Sequence, residues 1–219
     1  SKQALINIGI QVRRLNGLSV EKLLNQRDKN KNDLVGYVKA NNLKLQDKLP
    51  FYNELVAYLD QLYYISNFKG FIINYLLINC HVRNQDLNFQ IVKLKRETKD
   101  LTNNYLLLSP TKCCYIRNVY KTSGSYGQKV ITITDKKFIV AVKRVYALQK
   151  HRETDSIIPY TDQLGYYIKK FTYEGIGEGN YLKIIINHYI NDIAYLKQIS
   201  LNRGTDMNVL LSSYNITDV

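Results

Sequence analysis

The spacing of apolar residues divides the chain into a helical opening, a short run of strands, and helices again to the end. Over residues 1–46 the helical signal is patchy, with Ile6, Ile10, Val12 and Leu15 as its stripe. Ser19 then caps a helix over 20–29, with Glu21 supporting its first turn. The polar segment 25–32 reads as an exposed loop, 33–40 as a second helix, and 41–49 as a linker before Pro50 opens the next element. From 51 to 82 the period is clear: Leu55, Tyr58, Leu59 and Leu62 form one face, then Phe71, Ile72, Tyr75, Leu76 and Ile78 another. Alternation replaces it at 88–95, at 105–108, and in the pair 113–120 and 129–134. That pair brackets Ser-Gly-Ser-Tyr-Gly, whose two glycines suit a tight hairpin turn.

Helical spacing returns at 136–148, with Thr134 or Asp135 as its cap and Phe138, Val142 and Val145 facing inward. Residues 151–162 read as a loop. Helices are predicted at 163–173, 181–191, 193–201 and 207–214, followed by a polar tail. The glycine-rich turn at 175–179 is not a phosphate-binding loop, because no strand precedes it and no Gly-Lys-Ser/Thr follows.

Composition narrows the class. With 219 residues, 45% of them apolar, the chain can fill one core with a small appendage. Thirty-one Lys and Arg against 18 Asp and Glu give a net charge of +13, the footprint of a polyanion partner. Nucleic acid is the commonest such partner; an anionic membrane surface or an acidic protein would also fit. The longest apolar run, 71–80, is interrupted by Asn74 and Asn79 and is too short to span a bilayer. No secretory signal opens the sequence. Cys80, Cys113 and Cys114 make an odd count with no Cys-x-x-Cys spacing, which favours a reducing compartment over a disulfide framework or a zinc site. His81, His151 and His188 show no metal-ligand spacing. There are 19 tyrosines, so a tyrosine carries functional weight only through its position.

Candidate chemistry lies in five places. Lys121 and Thr122 stand at the rim of the hairpin, with Lys129 beyond the turn. Arg83 is followed three residues later by Asp86. Asn180 and Lys183 are separated by two residues, Arg203-Gly204-Thr205 forms a turn, and Tyr214 ends the last helix. A helix, a small three-stranded antiparallel sheet and a run of helices ending in a tyrosine resemble the catalytic domain of tyrosine recombinases, the phage-integrase family. The likeness covers residues 50–219, and Thr205, Lys183 and Arg83 precede Tyr214 by 9, 31 and 131 residues, as in the family's layout. The wording of 73–87 and 118–129 is most similar to homologues carried by large DNA viruses and their mobile elements.

The resemblance implies an α+β, mainly helical domain at 49–219, preceded by a short basic helical segment at 1–48. It implies duplex DNA as partner, a dimer or tetramer on that DNA, no metal and no cofactor. Tyr214 would attack a phosphodiester and form a 3′-phosphotyrosyl bond. Arg83 would clamp the non-bridging oxygens with Lys183, and Lys121 would protonate the leaving 5′-oxygen. Asn180 and Thr205 would occupy the positions of the family's histidines, while Arg117, Lys129, Thr122 and Arg203 would touch DNA. Three of the six motif positions are substituted. Lys183 lacks the planar fork of arginine, and neither Asn180 nor Thr205 can carry a proton as imidazole does. The alternative is therefore a catalytically inactive protein of the same fold with a structural or DNA-packaging role, for example in a virus particle. Simpler roles also exist: Arg83 at a helix C-terminus, Lys183 on a surface, Asn180 as an N-cap, and Arg203-Gly204 as a C-cap turn.

Overall fold

The fold is that of a computed structural model, which describes residues 2–45, 48–149 and 163–216. The loop read at 151–162 and the tail beyond Ile216 lie outside the described residues. Two helices, α1 (Lys2–Leu15) and α2 (Glu21–Leu43), form an N-terminal hairpin. The loop expected at 25–32 is instead part of one continuous α2. No Gly or Pro interrupts 21–35, and polar side chains support the exposed turns, as where Gln26 donates to Asn30 at 2.8 Å. Ser19 does not cap this helix, whose N-cap position is Val20 without a side-chain bond.

The body begins with α3 (Tyr52–Tyr64) and α4 (Phe68–Asn79), the latter capped by Asn67 accepting from Gly70 N at 3.0 Å. Four strands follow: β1 (Phe89–Val92), β2 (Asn104–Leu108), β3 (Cys113–Arg117) and β4 (Lys129–Ile133). They lie in sequence order in one sheet, but β1 pairs with β2 in parallel, Phe89 opposite Asn104, while β2–β3 and β3–β4 are antiparallel. The sheet is thus four-stranded and mixed, not three-stranded and antiparallel. Residues 93–103 carry the chain back to the start of the sheet through a short 3₁₀ turn, Lys95–Thr98, doing what a crossover does. The link between β3 and β4 also departs from a tight turn. It holds a single helical turn, α5 (Ser123–Tyr126), and Gly127 at φ 66° closes it.

Helix α6 (Lys136–Gln149) starts where Asp135 accepts from Phe138 N at 2.8 Å. Then come α7 (Leu164–Lys169), α8 (Glu178–His188), α9 (Ile193–Arg203) and α10 (Met207–Tyr214). The main core joins α3, α4 and α6 to one face of the sheet through Leu55, Phe71, Ile72, Leu106, Tyr115 and Phe138. A second cluster, Leu182, Ile185, Ile186, Leu196, Ile199 and Leu210, holds α8, α9 and α10 together. The result is α+β and mainly helical, with a helical platform beside the end of the sheet. No helix among the described residues is long and apolar enough to cross a membrane.

Candidate active site

The turn Arg203-Gly204-Thr205 is the centre on which distant parts of the chain converge. Gly204 takes φ 59° and ψ 55°, the left-handed cap of α9. A β-carbon there would stand 2.5 Å from Thr122 Oγ1 and 3.2 Å from Lys129 Nζ, so the β3–β4 connection lies directly on this backbone. Thr122 Oγ1 donates to Gly204 O at 3.0 Å, and Lys129 Nζ donates to Leu201 O. From the other side Arg83 donates Nη1 to Arg203 O at 2.7 Å and Nη2 to Thr205 Oγ1 at 2.8 Å.

Arg83 is held in place by what precedes and follows it. His81, just past the end of α4, has φ 54° and a ring that is almost completely buried. Asn202 Nδ2 lies 3.2 Å from its Nδ1, and Tyr195 Oη 3.2 Å from its Nε2. Burial, with Arg203 nearby, lowers the His81 pKa to about 4. On the far side, Asp86 accepts from the Arg83 backbone N–H at 3.0 Å and pairs with Arg117 at 2.9 Å. The Arg-x-x-Asp spacing seen in the sequence is therefore a local cap that aims the arginine.

Arg203 is 2% exposed. Its guanidinium pairs with Glu178 at 2.7 Å, donates to His81 O at 3.1 Å, and lies 5.6 Å from the Tyr214 ring centroid. Burial and Arg203 lower the pKa of Arg83, while Asp86, Glu178 and Tyr214 act in the opposite direction. Lys129 packs over the rings of Tyr120 and Tyr126 at 5.2 and 5.0 Å. Burial, then Arg117 and Arg83, lower its pKa. Four cations thus meet two carboxylates, and local positive charge is left over.

Arg83, Thr205, Thr122, Lys129, Arg203 and Tyr214 come together here. Lys121 does not: it is exposed, with no hydrogen bond or ion pair to the cluster. Arg117 is 0% exposed, donating to Asn202 O at 2.7 Å and pairing with Asp86. It cannot touch DNA, contrary to expectation. Arg203 is likewise too buried for direct DNA contact, and serves to hold the site together. Lys183 and Asn180 lie on one face of α8 with Asn187, at helical spacing. Asn180 is in the first turn rather than at the N-cap, which is Gly177. Burial lowers the pKa of the half-buried Lys183.

Sequence reasoning did not single out Glu178, Asn202, Asn187 or Asn42. Each acts through bonds to backbone or to a partner far along the chain, and no local pattern signals that. No group of three or more His, Cys, Asp or Glu side chains among the described residues is arranged to hold a metal ion. Comparison of the chain with protein-family models, with curated proteins and with solved structures finds no match.

Proposed function

We propose that this protein binds duplex DNA at the Arg203-Gly204-Thr205 turn and cleaves and rejoins one strand through Tyr214, in the manner of tyrosine recombinases. The observation that carries this reading is the convergence of Arg83, Lys129 and Tyr214 on one turn from three separate parts of the sequence. Two of the five N–H groups of Arg83 hold Arg203 and Thr205, so the fork is fixed while it retains donors for a phosphate oxygen. In the reaction the Tyr214 oxygen bonds to phosphorus and the bond from phosphorus to the 5′-oxygen breaks. The phenolic proton goes to water, and the departing 5′-oxygen takes a proton from a lysine. Lys129 suits that role better than Lys121. It lies on β4 and bonds the end of α9, as Arg83 does, and burial lowers its pKa in the direction that suits a proton donor.

A second reading, DNA binding without cleavage, is favoured by the extent to which the guanidinium groups are already engaged. Arg203 is buried against Glu178 and His81 O, and the lysine of α8, Lys183, has no fork. Incubation with a nicked suicide duplex, followed by a denaturing gel, separates the two. Cleavage gives a covalent protein–DNA adduct that Tyr214→Phe abolishes. Salt-sensitive binding without adduct supports the second reading, and no binding at low salt overturns both.

A further inference from the structure

Helix α10 ends at Tyr214, and the last carbonyls of a helix have no partner inside it. Here two asparagine side chains from remote elements take that place. Asn42, near the end of α2 and 2% exposed, donates Nδ2 to Ser213 O at 3.2 Å and to Asn215 O at 3.0 Å. These are the carbonyls on either side of Tyr214. Asn187, on α8, donates to Tyr214 O at 3.3 Å and accepts from Ile216 N at 3.1 Å. It is locked to its own helix by a bond to Lys183 O at 2.6 Å. The two asparagines, from two different helices, hold one peptide segment.

The halves of this grip differ in what they are attached to. Asn187 belongs to a helix embedded in the core of the body. Asn42 belongs to the N-terminal hairpin, whose α2 packs principally on α1 and on α10. The hairpin is therefore joined to the body largely through the helix that carries the tyrosine. Its surface is basic, with Arg13, Arg14, Lys22, Arg27, Lys29, Lys31 and Lys39 outnumbering Glu21, Asp28 and Asp33.

We propose that Asn42 is a positioning residue for Tyr214, and that through it the N-terminal hairpin controls the seating of the tyrosine against Arg203. The proposal rests on the reading of Tyr214 as nucleophile. A primary amide is needed because one nitrogen must serve two carbonyls, one with each N–H. Aspartate has the same shape and no donor, so Asn42→Asp removes both bonds and sets a carboxylate beside two carbonyl oxygens. Misplacing a reacting group by about 1 Å costs on the order of 10²-fold in rate.

The test uses the full chain and the suicide duplex. Single-turnover adduct formation at saturating DNA, DNA affinity, and hydrogen exchange at the Asn215 and Ile216 amides are compared in wild type and Asn42→Asp. The expected result is a fall in rate of about 10–100-fold with affinity unchanged. Exchange should quicken at Asn215 and Ile216 and not in the sheet. An unchanged rate, a loss explained by affinity, or a uniform rise in exchange overturns the proposal. If Asn42→Asp fails to fold, Asn42→Ala removes the donors without burying a charge and is read in the same way. If wild type forms no adduct, the nucleophile reading falls and the role of Asn42 falls with it. A normal wild-type adduct with an indifferent Asn42 variant sinks the positioning role alone.

Discussion

Lys121 and Lys129 are eight positions apart and have different surroundings. Lys121 reads as the more prominent in sequence because it precedes the turn residues, where a hairpin tip should be. The inserted turn of helix displaces that tip, and pairing of Arg117 with Lys129 across β3 and β4 brings Lys129 to the cluster instead. Lys129→Ala is expected to slow cleavage by about 10²–10⁴-fold, and Lys121→Ala to leave it unchanged. A substrate with sulfur in place of the bridging 5′-oxygen gives a leaving group that needs no proton. It should restore much of the Lys129→Ala rate, and failure to do so would assign Lys129 a role in binding. That Arg83 and Tyr214 approach one another's part of the chain was legible from order and spacing, and both reach Arg203. The burial of Arg117 was not, because its partner Asp86 lies on a different element and an arginine in a strand looks the same whether it faces solvent or a carboxylate.

At the level of elements, helices with a strong apolar face were legible, and α10 begins and ends where the pattern places it. What failed was the distinction between polar helix and loop in α2, and the direction of β1. An exposed helix that packs on little has no stripe to read, and parallel pairing through a short polar return leaves no mark such as a long crossover helix. The Arg203-Gly204-Thr205 turn was legible as a cap, but its contact with Thr122 was not. Gly204→Ala should destabilise the fold by roughly 1–2 kcal/mol through its left-handed backbone, and further through the collision with Thr122. Urea unfolding measures the total. Adding Thr122→Ala should recover part of the loss, and a Gly204→Ala variant as stable as wild type would mean that the turn can open.

For the whole molecule, pH acts through His81. Its folded pKa of about 4 lies below the ordinary 6.5, because burial and Arg203 oppose its charge. The unfolded chain therefore binds the proton first as pH falls. The stability that comes from keeping His81 neutral is complete above about pH 6.5 and is lost toward pH 4, amounting to ~3 kcal/mol. The groups around the ring, Tyr195, Asn202 and Arg203, offer no carboxylate to offset the charge. Denaturant midpoints between pH 4 and 7 should fall steeply in wild type and less steeply in His81→Asn, which tolerates the same backbone. Equal slopes would locate the pH response elsewhere.

The reach of Asn42 to carbonyls 171 and 173 positions away has a consequence for synthesis. The ribosome makes the Asn42 amide well before its acceptors, so α2 must wait, without this anchor, until the residues between them have emerged. A nascent chain halted before residue 213 would hold a formed sheet and an unmoored α2. Fastening α2 would then be a late step, made by a segment synthesised long after it.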